Sequence, residues 1–156
     1  MLGEPTNPIT RLLVIGYGNT LRSDDGVGPK AAEAVAALHL PGVQVLTCDL
    51  LTPELADPIS RAGWVVFVDA AVDAPREVQL RPLTPADSSQ IMAHAADPRT
   101  LLALARDVFG RAPGAWWLTI PIRNLAIGED LSEMARLGLS ACVSTIKKLA
   151  LNLTKM

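Results

Sequence analysis

The stretch Leu12 to Gly28, reading LLVIGYGNTLRSDDGVG, constrains the fold more than any other part of the chain. Leu12 to Ile15 is a short apolar run with a β-branched end, and Gly16 and Gly18 stop it. A buried strand has this form where it enters a tight turn. A strand followed by Gly-x-Gly usually leads into a helix whose N-terminus receives a pyrophosphate. The third glycine of that fingerprint is missing, because Leu21 stands in its place. Asp24 and Asp25 then fall where the helix should start. Two carboxylates at the carboxyl end of a strand repel a phosphate but can hold a cation, so the turn is expected to serve a metal.

Apolar patterning predicts strands over 12–16, 43–48, 64–69, 77–83 and 115–121, and helices over 27–39, 53–62, 98–109 and 132–152. Pro29 falls in the first turn of the first helix; Thr52-Pro53 and Asp97-Pro98 place a cap and a proline at the starts of the second and third. Met134, Leu137, Ala141, Val143, Ile146, Leu149 and Leu153 recur at roughly helical spacing in the last helix and are read as its core stripe. The order β-α-β-α-β-β-α-β-α predicts an α/β three-layer sandwich. Its sheet should be five-stranded, twisted and mostly parallel, with helices on both faces. Residues 70–76 are too few for a crossover helix, so strands 64–69 and 77–83 must run antiparallel if they pair directly.

The 156 residues are expected to form one domain spanning 1–156, long enough to bury roughly two-thirds of the unfolded surface. Hydrophobic residues make up 49% and charged ones 19%, a composition that fits a compact enzyme-sized core better than a disordered or coiled-coil chain. A net charge of −2, with no block of like charges, argues against nucleic acid or an anionic membrane as partner. No apolar run approaches the roughly 18 to 20 residues that cross a bilayer, and the N-terminus has no signal pattern. The expected compartment is cytoplasmic. Cys48 and Cys142 stand far apart in no paired motif and read as buried thiols.

In an open α/β sheet, ligands gather beyond the carboxyl ends of the parallel strands. Asp24 and Asp25 follow the first strand and Asp49 the second. Asp69 ends the very apolar third, Trp64-Val-Val-Phe-Val-Asp69, with Asp73 just behind it, and His94 lies in the 84–97 loop. Plainer uses exist for each. One of Asp24 and Asp25 is expected to cap the first helix while the other faces the site. Asp69 can cap a turn, a lone loop histidine is commonly solvated, and His39 at the end of the first helix reads as structural. Together, two carboxylates and an imidazole can make a three-ligand site with open positions. There is no Gly-x-Ser-x-Gly elbow, no cysteine beside a base and no His-Glu-x-x-His helix. Hydrolysis by this chain would need a metal or a carboxylate-activated water.

The whole pattern resembles the hydrogenase maturation proteases, endopeptidases that trim the C-terminal extension of nickel–iron hydrogenase large subunits. The resemblance rests first on Gly16-Tyr-Gly18-Asn19-Thr-Leu21-Arg-Ser-Asp24-Asp25-Gly26-Val-Gly28. It continues through Leu51-Thr52-Pro53-Glu54-Leu55, Phe67-Val68-Asp69-Ala70, His94 ahead of Pro98, Thr119-Ile-Pro121 and Ile127-Gly128-Glu129. It implies that Asp25, Asp69 and His94 bind metal, namely nickel carried by the substrate precursor, with another divalent metal possible in the isolated protein. Asp25 and Asp69 would be the catalytic pair, and Asn19 and Asp24 would position the first loop. Some members have glutamate where Asp25 stands, and the shorter arm retracts the carboxylate by about one methylene. Nickel would either assist the chemistry or act only as a recognition tag while Asp25 or Asp69 activates water. The implied partner is the large-subunit precursor, and the chain itself is expected to be a monomer. The contrasting expectation is a non-catalytic Rossmann-like nucleotide-binding module with Asp49 as its ribose-binding acid; Leu21 and the acidic pair stand against it.

Overall fold

Alternate residues of the first strand, β1 (Leu12–Tyr17), divide between two cores, and the whole architecture follows from that division. The computed structural model describes residues 10–72, 75–87 and 97–154. Leu12 and Val14 enter one core with Val66, Val68, Leu118 and Ile120; Leu13 and Ile15 enter the other with Val65, Phe67 and Ala115. A strand buried on both faces is the mark of a parallel sheet covered by helices on each side. The first core is closed by α1 (Val27–Ala36) and α4 (Glu133–Thr154), the second by α2 (Ala56–Ser60) and α3 (Pro98–Phe109). The three-layer α/β sandwich is therefore present as expected.

The other strands are β2 (Val43–Cys48), β3 (Trp64–Ala71), β4 (Gln79–Leu83) and β5 (Gly114–Pro121), in spatial order β2-β1-β3-β5-β4. β1, β2, β3 and β5 are parallel and β4 is antiparallel, which gives the expected five-stranded mixed sheet. The pairing of the odd strand differs from the simplest expectation: β4 pairs with β5, not β3. β5 occupies β3's free edge along its full length, from Trp64 opposite Gly114 to Ala71 opposite Pro121. β4 is left to form the outer edge.

Helix ends depart from the sequence reading for local reasons. α1 stops at Ala36, short of residue 39, because His39 adopts a left-handed φ of 48° just before Pro41. The segment 53–62 breaks into a 3-10 turn, Pro53–Leu55, and the short α2, since Pro58 has no N–H to continue a helix begun at Pro53. Thr52 is extended there but makes no side-chain cap. Asp97 does cap α3, accepting from the Arg99 amide at 2.8 Å, and Ser132 caps α4 through the Ala135 amide at 3.1 Å.

The expected α4 stripe is partly displaced. Its buried face is Ala135, Gly138, Cys142, Ile146, Ala150 and Leu153, whereas Leu137 is 66% exposed and Ala141 is exposed. A side chain at Gly138 would meet the Ile120 side chain at 2.5 Å, so the helix packs too close to β5 for large residues in its first turns. Close approach selects the small residues instead. Cys142 is buried as expected, and burial pushes its thiol up to about 12; Cys48 is only half-buried, at the end of β2. Among the described residues no helix is long and apolar enough to cross a membrane.

Candidate functional site

Register carries one row of side chains across the carboxyl edge of the sheet. Tyr17 stands opposite Cys48 of β2; Asp69 stands opposite Thr119 of β5, which in turn faces Gln79 of β4. Gly16 pairs with Val68, so Tyr17 and Asp69 are the next residues along β1 and β3, on the same face of the sheet. The Tyr17 hydroxyl donates to Asp69 Oδ2 at 3.0 Å. Burial pushes the Asp69 carboxyl up to about 6, against the hydrogen bonds from Tyr17 and from the Ala70 amide, and the charge of Asp25 adds to the push. Burial, with Asp69 beside it, also drives the Tyr17 hydroxyl far above its usual range.

The turn after β1 orients the other carboxylate. A side chain on Gly18, whose φ is 145°, would strike the Asp25 carbonyl at 2.1 Å, so this turn and the 3-10 turn Ser23–Gly26 pack backbone against backbone. The Asn19 amide donates to Asp25 Oδ2 at 2.9 Å, and the Asn19 side chain accepts from the Leu21 amide at 2.9 Å. Asp25 is half-buried and lies within electrostatic reach of Asp69. The structure thus brings two of the three sequence-predicted ligands together.

Asp24 points elsewhere. It is fully buried, and its carboxylate accepts from the amides of Arg123, Asn124 and Ser132 and from the Ser132 hydroxyl, at 2.7–2.9 Å. Burial alone would raise the carboxyl; the bonds from Asn124, Ser132 and Arg123 outweigh it and hold it below its ordinary value. Neither aspartate of the pair caps α1, whose start at Gly26 has no side-chain cap. The 3-10 turn intervenes and swings Asp24 into the segment after β5. Ser23, at a left-handed φ of 47°, extends the same clamp: its amide donates to the Gly128 carbonyl and its hydroxyl to the Ala126 carbonyl, while the Gly128 amide returns a bond to the Leu21 carbonyl. The loops after β1 and β5 form one interlocked unit.

His94 and Asp73 lie outside the described residues. Among the described residues no three His, Cys, Asp or Glu side chains gather closely enough to hold a metal. Asp49 is exposed at the end of β2, and His39 is exposed beyond α1. The glycines that suggested a nucleotide site pack strand on helix: a side chain at Gly16 would meet the Gly28 carbonyl at 2.3 Å. Sequence reasoning missed Tyr17 and Ser132. Tyr17 did carry a signal, since it is the lone side chain between the two glycines of the turn and the only tyrosine in the chain.

Solved structures share this architecture. The NiFe hydrogenase maturation protease HybD from Thermococcus kodakarensis superposes with a TM-score of 0.67 at 24% identity, covering 90% of this chain and 99% of its own. The hydrogenase 2 maturation peptidase of a Thaumarchaeota archaeon gives 0.67 at 23%, covering 92% and 99%. The maturating endopeptidase HybD from E. coli gives 0.67 at 20%, covering 87% and 89%. The fold is that of the hydrogenase maturation proteases. No family model matches the sequence and no curated protein matches it, so the likeness is one of structure.

Proposed function

We propose that this chain is an endopeptidase that removes the C-terminal extension of a nickel–iron hydrogenase large-subunit precursor after nickel insertion. The observation that carries the reading is the pairing of Asp25 and Asp69 at the carboxyl edge of the sheet, each held by the turn Gly16–Asn19, on a fold shared with maturation proteases. Two carboxylates with open oxygens suit a metal that already has part of its coordination supplied by another molecule. Asp25, Asp69 and His94 are the residues assigned to engage the substrate's nickel. The metal would supply a fixed anchor that holds the scissile segment against this edge.

The chain's own chemistry is then water activation. Asp25 or Asp69 takes a proton from water as the water oxygen bonds to the scissile carbonyl carbon. That proton passes to the departing amine nitrogen as the C–N bond breaks. A carboxyl lifted to about 6, as at Asp69, is a stronger proton acceptor than an ordinary aspartate and remains ionised at neutral pH. A protein-sized substrate is supported by the loop tips at this edge, where Leu21, Leu50, Val72 and Ile127 are 61%, 70%, 57% and 93% exposed. Exposed aliphatics on several loops around a site suit a folded partner better than a small polar ligand. Incubation of the purified chain with a nickel-loaded precursor, followed by mass spectrometry, tests the reading. Loss of a C-terminal peptide is expected from the parent chain and not from Asp25→Asn or Asp69→Asn; an unchanged precursor mass with the parent chain rejects it.

A further inference from the structure

We propose that Tyr17 is a positioning residue that fixes the rotation of the Asp69 carboxylate at the sheet edge; this rests on the reading that Asp69 acts on the substrate. An aspartate at a strand end has a soft terminal torsion and would exchange its two oxygens freely. Here Oδ2 is held by the Tyr17 hydroxyl at 3.0 Å from the neighbouring strand, and the Ala70 amide adds a local bond to the same carboxylate. The donor is itself held. Its ring packs against the core shared with α2 and α3. Its backbone is pinned on both sides, by Gly16 against the Gly28 carbonyl and by Gly18 against the Asp25 carbonyl. The residue after next, Asn19, fixes Asp25 through its amide. One four-residue turn therefore sets the orientation of both carboxylates, by a side chain for one and by the main chain for the other. A hydroxyl that fixes a reacting carboxylate in this way governs how well the reacting atoms align.

The test is Tyr17→Phe, which keeps the ring and removes only the hydroxyl. On nickel-loaded precursor, kcat is expected to fall roughly 10- to 100-fold, the usual effect of losing such a partner. Parent-like kcat in a folded Tyr17→Phe chain overturns the proposal while leaving the protease reading intact. Failure of the parent chain to cut the precursor removes the protease reading instead. A second measurement needs no turnover and no altered tyrosine. Because the chain has a single tyrosine, labelling tyrosine at Cζ gives one carbon resonance. That resonance is expected to move between the parent chain and Asp69→Ala, and identical resonances would show that no such hydrogen bond exists, which also overturns the proposal.

Discussion

Asp69 follows directly on Val65, Val66, Phe67 and Val68, all fully buried in β3, and that setting makes its charge costly. Its carboxyl sits at about 6 in the folded chain against 3.8 for a free aspartate, so the folded state holds the proton more tightly. Ionised Asp69 therefore lowers stability above pH 6, and the penalty fades as pH falls toward 4. Asp69→Asn is expected to be more stable than the parent at pH 8, by on the order of 1 to 2 kcal/mol, and to lose that advantage near pH 4, while processing is abolished. Thermal melts across pH check the first part and precursor cleavage the second. Asp24 has the opposite sign. Its depressed carboxyl contributes stability above the unfolded value of 3.8 that is lost as pH falls through the lower folded value. Asp24→Asn replaces an acceptor of four bonds with a group bearing two donors, at a cost of about 3 kcal/mol at pH 7. The gap to the parent should narrow below pH 4. The position of Asp69 was legible in the sequence, because an apolar run that closes on an aspartate announces where that side chain emerges. The division of labour between Asp24 and Asp25 was not legible from the residues alone and came only with the family resemblance, since the partners of Asp24 lie about 100 positions further along the chain.

At the level of elements, the sheet was legible and the helix faces less so. Strands such as Trp64–Ala71 reveal themselves as apolar runs between turn residues, but the face of α4 depends on how near β5 it lies. Gly138, not Leu137, sets that distance. Leu137→Ala is accordingly expected to change stability by less than about 0.5 kcal/mol, whereas Ile146→Ala should cost roughly 2 to 5 kcal/mol; denaturant melts of the two variants distinguish the faces. The interlocked loops make a second forecast possible. Ile127 projects from a segment fastened to the first loop by Ser23, Asp24 and the bridge between Arg22 and Gly128, so its exposure is built into a rigid support. Ile127→Asp should leave the melting temperature nearly unchanged and raise KM for the precursor several-fold. An unchanged KM would remove Ile127 from the docking surface.

For the molecule as a whole, the topology brings residues separated by more than 100 positions to one edge: the loop after β1, the end of β3 and the clamp after β5. The order of elements predicted that edge, but not that β4 would pair outside β5, because element order alone does not say which strand takes the free edge of β3. The most direct test sets the purified chain, in a chelator that leaves inserted nickel in place, against two forms of the same hydrogenase large-subunit precursor, one nickel-loaded and one nickel-free. The account predicts a single shortened product, with the matching C-terminal peptide, from the nickel-loaded form alone. Equal cleavage of both forms would contradict the nickel requirement, and no cleavage of the loaded form would contradict the account itself.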